Sequence, residues 1–208
     1  MISIILKGGI LMIPILLCSL AVVTIVIERI YYFIKSATKN NGFMEDIVAE
    51  IKGKNEKEAL QKTKALKGVV PRVIAAGIKE YINHKAEHYI EKAIVRTGTH
   101  ELFLLERNLR GLNVIANVAP LLGLLGTVLG MIRAFMQIEM LGGSVDPSSL
   151  AGGIWEAMTT TAAGLTVAIP ALLFYNYFMG RINRIEAEMK SASVDLIDVV
   201  REREKNAV

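Results

Sequence analysis

The sequence predicts an all-α integral membrane protein with three transmembrane helices, and three observations lead to this fold class. Hydrophobic residues make up 52% of the 208 residues, more than a soluble domain of this size usually carries. The charged residues crowd into residues 28–110 and 181–205 and are rare between these blocks. The apolar stretches that remain are long enough to cross a bilayer.

The first span follows from 20 uncharged residues, Gly8–Ile27, which match the roughly 20 residues needed to cross the hydrocarbon core. No small-residue cleavage site follows this stretch, so we expect a retained helix, with residues 1–28 forming the outer N-terminus and transmembrane helix 1. The single cysteine, Cys18, lies within this span and cannot form an internal disulfide.

The second span is predicted over residues 111–133, from the uncharged stretch Gly111–Ile132. The third apolar stretch, Pro147–Gly180, holds one charge, Glu156, and is longer than one span needs. We therefore expect a re-entrant or interfacial segment over Pro147–Gly153 and transmembrane helix 3 over residues 154–180.

The orientation of the spans follows from the loop charges, because Lys and Arg are retained on the cytoplasmic side. Residues 28–110 hold 16 Lys and Arg against 11 Asp and Glu, whereas residues 133–146 hold one Arg, one Glu and one Asp. The rule places the N-terminus in the periplasm, residues 29–110 in the cytoplasm as a helical loop, residues 134–153 outside as a short connection, and residues 181–208 in the cytoplasm as a C-terminal helix.

Helical periodicity predicts that helices two and three extend, without a break, into a cytoplasmic helical bundle. Ahead of the second span, residues that would share one helix face recur at helical spacing: Ile90, Ile94, Thr97, Glu101, Leu104, Leu105, Asn108 and Leu112. After the third span, a heptad seam consists of Ile182, Ile185, Met189, Ala192, Leu196 and Val199. Two short amphipathic helices within residues 40–68 are expected to cover this bundle.

Glu156 is the most informative residue, since an ionisable group in a lipid span is costly unless it meets water or a partner. One interpretation places it near the outer interface, where the side chain extends to the headgroups. The other places a proton-exchanging carboxylate against a pore or a central partner helix.

Small and hydroxyl residues form the second signal in spans two and three. The glycines Gly123, Gly126, Gly130 and Gly164 predict close helix packing, and Pro120 and Pro170 predict kinks. The hydroxyls can hydrogen-bond across interfaces or line a polar path; they are Thr127, Thr159, Thr160, Thr161 and Thr166.

Other activities find little support. His84, Glu87 and His88 match the order H-x-x-E-H of some zinc peptidases, on what we expect to be a helix face, but no third ligand is evident. We predict that the protein binds no metal and no cofactor and that it is not an enzyme. The basic residues are interspersed with acids, which favours membrane lipids over nucleic acid as the partner.

The chain resembles the MotA/TolQ/ExbB proton channel family, specifically its three-span ExbB/TolQ branch. The resemblance rests on NVAPLLGLLGTV over Asn117–Val128 and GIWEAMTTTAAGL over Gly153–Leu165, and continues through Ala168–Ala171 and Tyr175–Asn176. The predicted topology agrees with that of the family over almost the whole chain. The chain differs from the family in Thr159 and Thr160, where apolar or small residues are usual.

This resemblance implies a homopentamer in the bacterial inner membrane whose second and third spans line a pore around single-span ExbD/TolR-like partners. Glu156, Thr127 and Thr161 correspond by motif position to polar pore residues of the proton pathway. Proton flow would then deliver force to the outer membrane through a TonB-like or TolA-like protein. The residues do not choose between these two systems, or between H⁺ and Na⁺.

Helical geometry leaves the pore-facing hydroxyl open. At about 100° per residue, Thr160 lies about 40° from Glu156 and Thr161 about 140° from it. Motif position favours Thr161, whereas the helical wheel favours Thr160. We also expect Thr127 and Thr161 to lie at one depth in the membrane.

Three rival functions stay open. A flagellar-type stator subunit would share proton use but normally has four spans. A non-transporting membrane scaffold would use Glu156 only to pair with an arginine of a partner. An intramembrane or zinc hydrolase would need a paired catalytic set, which the spans lack.

Overall fold

The computed structural model describes residues 9–36, 42–140 and 147–205. Every secondary-structure element in these ranges is a helix, and there are seven of them: α1 Met12–Ser36, α2 Phe43–Lys52, α3 Glu56–Ala65, α4 Val69–Ile82, α5 Glu87–Glu106, α6 Leu109–Met140 and α7 Pro147–Lys205. The outermost N-terminus, residues 141–146 of the predicted outer connection and the last three residues lie outside the described ranges.

Three helical stretches are long and apolar enough to cross a membrane: Met12–Ser36, a stretch within Glu87–Met140, and a stretch within Ala151–Arg203. This finding confirms the prediction of three apolar helices. Helix α6 continues through Pro120 and α7 through Pro170, so neither proline ends its helix.

The expected re-entrant segment over Pro147–Gly153 does not form a separate element, and an interfacial position of these residues stays a prediction. These residues are the first turns of α7, which runs for 59 residues as one helix. A proline is well suited to the first position of a helix. The backbone N–H of that position has no partner within the helix, so its loss in proline costs nothing, and the φ of proline is already helical. Pro147 therefore begins the helix and does not interrupt it.

The expected unbroken helix ahead of the second span is wrong. Helix α5 ends at Glu106 and α6 begins at Leu109. Between them Asn108 adopts a left-handed conformation with φ 66°, which Asn tolerates better than most residues. Its side-chain amide donates a hydrogen bond of 3.0 Å to Oε2 of Glu28, which stabilises the turn.

The chain divides into two compact units, whose limits fall within α1 and α7. The first comprises α1 up to Glu28 together with Asn108–Phe178. In it, α1 buries one apolar face, which includes Met12, Ile15, Val22 and Val26. Phe178 is buried and packs against Phe174 and Tyr177.

The second unit comprises Arg29–Arg107 and the chain from Met179 onward. Its core is aliphatic, with Ile51, Ile74, Ile78, Ile90 and Leu105 fully buried. Five of the six residues of the predicted heptad seam are buried: Ile182, Met189, Ala192, Leu196 and Val199. The two short helices expected within residues 40–68 correspond to α2 and α3.

Arg29 is a buried cation at the end of α5, with 2% of its surface exposed. Its Nη1 donates to the carbonyl oxygens of Leu104 and Leu105 at 3.1 and 3.2 Å, and its guanidinium lies 4.8 Å from the ring centroid of Tyr32. The last carbonyls of a helix have no partner within it, so this contact caps α5.

Ion pairs hold the helices of the second unit together. Arg72 binds both carboxylate oxygens of Glu101, and the hydrogen bond raises the pKa of Arg72. Lys62 donates to Glu50, and this hydrogen bond lowers the pKa of the Glu50 carboxyl.

The H-x-x-E-H segment does not lie on one helix face. His84 follows the end of α4 with φ 53°, and α5 begins only at Glu87. Within the described residues, no group of three or more His, Cys, Asp and Glu side chains could hold a metal ion.

Candidate functional site

Small residues bring α6 and α7 into backbone contact in the first unit. A Cβ added to Gly123 would lie 2.9 Å from Cα of Thr161, and one added to Gly164 would lie 2.5 Å from the carbonyl oxygen of Ala119. The contact is the small-residue packing typical of membrane helices. The predicted packing glycines all lie in it: Gly123, Gly126, Gly130 and Gly164.

Thr161 links the two helices by a hydrogen bond. Its Oγ1 donates to the carbonyl oxygen of Gly123 at 3.0 Å. Because Gly123 precedes Thr127 by one helical turn, Thr161 and Thr127 lie within about 6 Å of each other along the helix axis. The hydroxyl of Thr127 is bonded to the carbonyl of Leu124 in its own helix at 2.6 Å.

Thr160 serves the packing of the same interface. It is 1% exposed, its hydroxyl bonds to the carbonyl of Ala157 at 2.8 Å, and its side chain fills the space that a Cβ on Gly126 would occupy. Thr159 is bonded within α7, to the carbonyl of Trp155. Among the three consecutive threonines, Thr161 is therefore the one whose described hydrogen bond crosses to α6.

Glu156 forms an ion pair with Arg133, near the start of the apolar stretch of α7 and the end of the apolar stretch of α6. Nη1 of Arg133 donates to Oε1 of Glu156 at 2.6 Å. The side chain of Arg133 is 51% exposed and that of Glu156 24% exposed. A charge-assisted hydrogen bond of this length is among the stronger polar contacts in proteins.

Gly9 closes one side of this pair. It has φ 69°, and a Cβ at this position would overlap Oε1 of Glu156. The absence of a side chain therefore lets the backbone ahead of α1 approach the carboxylate. The other side opens to a cavity of about 540 Å³, lined by Arg133, Ala134, Met136, Gln137, Met140, Gly152, Gly153 and Glu156.

The polar groups fall on two edges of the α6–α7 pair. Glu156 and Thr161 lie about 140° apart around α7, and Arg133 and Thr127 lie about 120° apart around α6. A small pocket places Thr160 next to Glu156; it is lined by Ile10, Leu11, Gly126, Leu129, Arg133, Glu156 and Thr160. We call the edge with Thr127 and Thr161 the threonine edge, and the edge with Arg133 and Glu156 the ion-pair edge.

Asparagines extend the threonine edge along α6. Thr127, Asn113 and Asn117 lie within about 80° of one another around the helix. Asn117 donates to the carbonyl and to Oδ1 of Asn113, at 2.7 and 3.2 Å. An amide side chain is costly in lipid, so this side of α6 is suited to water or to a polar partner.

These features define a helical membrane protein with two polar edges in its spans. The family model described as the MotA/TolQ/ExbB proton channel family matches residues 65–191. The chain therefore belongs to the MotA/TolQ/ExbB proton channel family.

Individual relatives agree with this membership. The chain is 34% identical over 170 residues to biopolymer transport protein exbB1 of Vibrio cholerae, covering 79% of this chain and 72% of that protein. It is 34% identical over 174 residues to ExbB-like protein 1 of Synechocystis, covering 82% and 67%. It is 35% identical over 128 residues to the Tol-Pal system protein TolQ of Haemophilus influenzae, covering 56% and 55%.

Sequence reasoning missed Arg133 and Gly9 as neighbours of Glu156. Arg133 was an expected span end and nothing more. The available signal was the antiparallel register: the contacts of Gly130 with Ala157 and of Ala134 with Gly153 place Arg133 within about one turn of Glu156. Gly9 carried no comparable signal.

Proposed function

We propose that this chain is the pore-forming subunit of an ExbB/TolQ-like complex in the bacterial inner membrane, driven by the proton motive force. The complex energises outer-membrane transport or envelope maintenance through an ExbD/TolR-like single-span partner, which acts on a TonB-like or TolA-like protein. Five copies, with their termini oriented as the loop charges predict, surround the partner. Family membership supports this assignment, and the relatives are named for biopolymer transport and for the Tol-Pal system.

The observation that carries the proposal is the threonine edge. Polar side chains recur along one side of α6 in a helix that is otherwise apolar enough to cross a membrane. Asn113, Asn117 and Thr127 would be unfavourable against lipid, so a ring of copies that turns this edge toward a central polar path satisfies them. Thr161 lies beside Thr127 at the same edge, in keeping with its motif position.

Glu156 supplies the titratable group of the pathway. A hydroxyl can relay a proton through hydrogen bonds, but storing one requires a group that gains and loses it. Glu156 is the only carboxylate within the described part of the third apolar stretch. Glu156 lies on the ion-pair edge. A proton that binds Glu156 therefore passes along the boundary with α1 as well as along the threonine edge.

The test is proton flux in vesicles that contain the chain together with its single-span partner. Glu156→Gln keeps the size of the side chain but cannot exchange protons, so flux should fall by at least about tenfold, as should partner-dependent work. Thr161→Val should lower flux by a similar factor if its hydrogen bond contributes about 1.4 kcal/mol at the barrier. Thr166→Val is the matched control, since this hydroxyl is exposed and bonds only to the carbonyl of Ala162 among the described contacts. Full flux in an assembled Glu156→Gln complex would contradict the proposal.

A non-transporting membrane scaffold is the second candidate, and the Arg133–Glu156 pair favours it. A scaffold needs Glu156 only as a charge partner. From the sequence we expect that arginine on a partner, whereas the described pair joins Glu156 to Arg133 of the same chain. The two functions differ in the same vesicles. A scaffold shows no partner-dependent proton flux in the wild type, whatever the state of Glu156.

A further inference from the structure

The Arg133–Glu156 pair is asymmetric in its surroundings. The carboxylate is the more buried partner, enclosed by Gly9 on one side and by Thr160 and Leu129 on the inner side. The guanidinium is half exposed and lies at the wall of the 540 Å³ cavity. If the pair opens, the group that moves is therefore the Arg133 side chain.

The chemistry of the pair makes its opening consequential. A guanidinium stays protonated under all conditions in proteins, so it is a permanent countercharge and cannot itself hand a proton on. The charge-assisted hydrogen bond from Arg133 occupies Oε1 of Glu156. Proton transfer at Oε1 therefore requires that Arg133 first leave this oxygen.

The cavity gives Arg133 a place to go. The arginine side chain has a long, flexible stem, and its charged end favours a water-accessible space. Several cavity-lining groups are apolar and flexible, as in Met136 and Met140, while Gln137 offers a polar end. The guanidinium can turn into this space while the glycine and alanine contacts between α6 and α7 stay closed.

We propose that Arg133 is a positioning residue that shields Glu156: in the resting subunit it holds the carboxylate in an ion pair, and Glu156 joins the proton pathway only when Arg133 withdraws into the adjoining cavity. The shield prevents a subunit from leaking protons before the partner engages it. This inference rests on the proposed function for its consequence, but the shielding itself can be measured without proton transport.

The first measurement is carbodiimide labelling of the full chain, with its partner, in membrane vesicles. Dicyclohexylcarbodiimide adds to a protonated carboxylic acid, and the product rearranges to a stable acylurea that mass spectrometry assigns to a residue. Labelling of Glu156 should be roughly tenfold faster in Arg133→Gln than in the wild type, the factor that about 1.4 kcal/mol of lost pairing gives. Arg133→Lys keeps the charge and should stay near the wild-type rate.

Two controls make this measurement specific. Arg110→Gln removes an exposed arginine at the other end of α6 and should leave the labelling of Glu156 unchanged. Glu139 is exposed on α6 and serves as an internal reference in every variant, since its labelling should not respond to position 133. Equal labelling of Glu156 in the wild type and in Arg133→Gln would show that Arg133 does not shield it.

The second measurement is the passive proton leak of the same vesicles. Arg133→Gln should leak several-fold faster than the wild type, and adding Glu156→Gln should return the leak to the wild-type rate, because the leak passes through Glu156. Faster labelling without a Glu156-dependent leak would make the pair a static contact and overturn the gating role. If the wild-type complex drives no partner-dependent work while labelling still responds to Arg133→Gln, the proposed function fails and the shielding stands.

Discussion

In the first unit, α6 and α7 meet through Gly123, Gly164 and Ala119, whereas in the second unit the buried residues are side chains such as Ile74, Ile78 and Leu105. Burying large aliphatic side chains stabilises helices whose surfaces would otherwise be exposed to water. Between helices in lipid that gain is absent, and close approach of the backbones with interhelical hydrogen bonds takes its place. The comparison shows one chain that uses both kinds of packing within single long helices.

The two units also differ in how they use charge. The described ion pairs of the second unit connect helices on a charged surface, as in Arg72–Glu101 and Lys52–Glu202. The first unit has one described ion pair, Arg133–Glu156, next to a cavity. Charge in the second unit is therefore suited to holding helices, and in the first unit to a switchable contact.

The largest effect is expected from adding one methyl group to the α6–α7 contact. Gly164→Ala should destabilise the first unit by about 2 to 3 kcal/mol, because its Cβ meets the backbone of Ala119, which cannot turn aside as a side chain can. Gly180→Ala is the matched control: nothing lies within 4 Å of its added Cβ, and Ala favours the helix. Denaturant unfolding in detergent micelles measures both, and equal stability of the two variants would show that the helices do not touch at Gly164.

A medium effect is expected in the second unit, where charge takes part in helix packing. Arg72→Gln leaves the buried carboxylate of Glu101 without its bidentate partner. The loss should be about 1 to 2 kcal/mol, less than for a fully buried pair because Arg72 is half exposed. Lys190→Gln removes the cation of the exposed pair with Glu186 and should cost no more than about 0.5 kcal/mol. Chemical unfolding of the two variants compares them, and equal losses would mean that burial of Glu101 adds nothing.

The sequence predicted those features that depend on composition and local spacing. Three apolar stretches predicted three apolar helices, and the spacing of Gly123, Gly126 and Gly130 predicted a closely packed face of α6. The heptad seam after residue 181 indicated the buried side of α7 in the second unit. Each of these follows from the helical repeat, which can be read without knowing any partner element.

Features that depend on one residue's backbone or on helix register could not be predicted in this way. The break at Asn108 depends on a left-handed conformation and on the contact with Glu28, 80 residues away in sequence. The partner of Glu156 depends on which sides of α6 and α7 face each other, and the lengths of the spans predict only the depth of each residue. His84 lies in a turn because α4 ends at Ile82, and Asn83, a residue common just after helix ends, is the one local signal of that end.

The smallest expected effect is a loss of stability at low pH, and it is confined to the second unit. Burial alone would raise the pKa of the Glu56 carboxyl, but hydrogen bonds from its own backbone amide and from Arg203 outweigh burial and lower the pKa below its ordinary value of 4.5. A carboxyl with a lower pKa in the folded state binds fewer protons there than in the unfolded state. Its contribution to stability is therefore fully present above about pH 4.5 and is lost as the pH falls through the lowered value.

Arg203 also donates to the carbonyl of Ile51 at 2.9 Å, so protonation of Glu56 should loosen α2 and α3 from α7. Hydrogen exchange of peptides from residues 43–65, corrected for intrinsic rates, should accelerate between about pH 5 and pH 3 by less than fivefold, in keeping with an interaction under about 1 kcal/mol. In Glu56→Gln the acceleration should be smaller, because the titrating group is gone, while Glu188→Gln, an exposed position on α7, should keep it. In peptides from residues 112–135 of the first unit, Glu56→Gln should not alter the pH dependence of hydrogen exchange. If Glu56→Gln altered this pH dependence equally in both units, the effect of the Arg203–Glu56 pair would not be confined to the second unit.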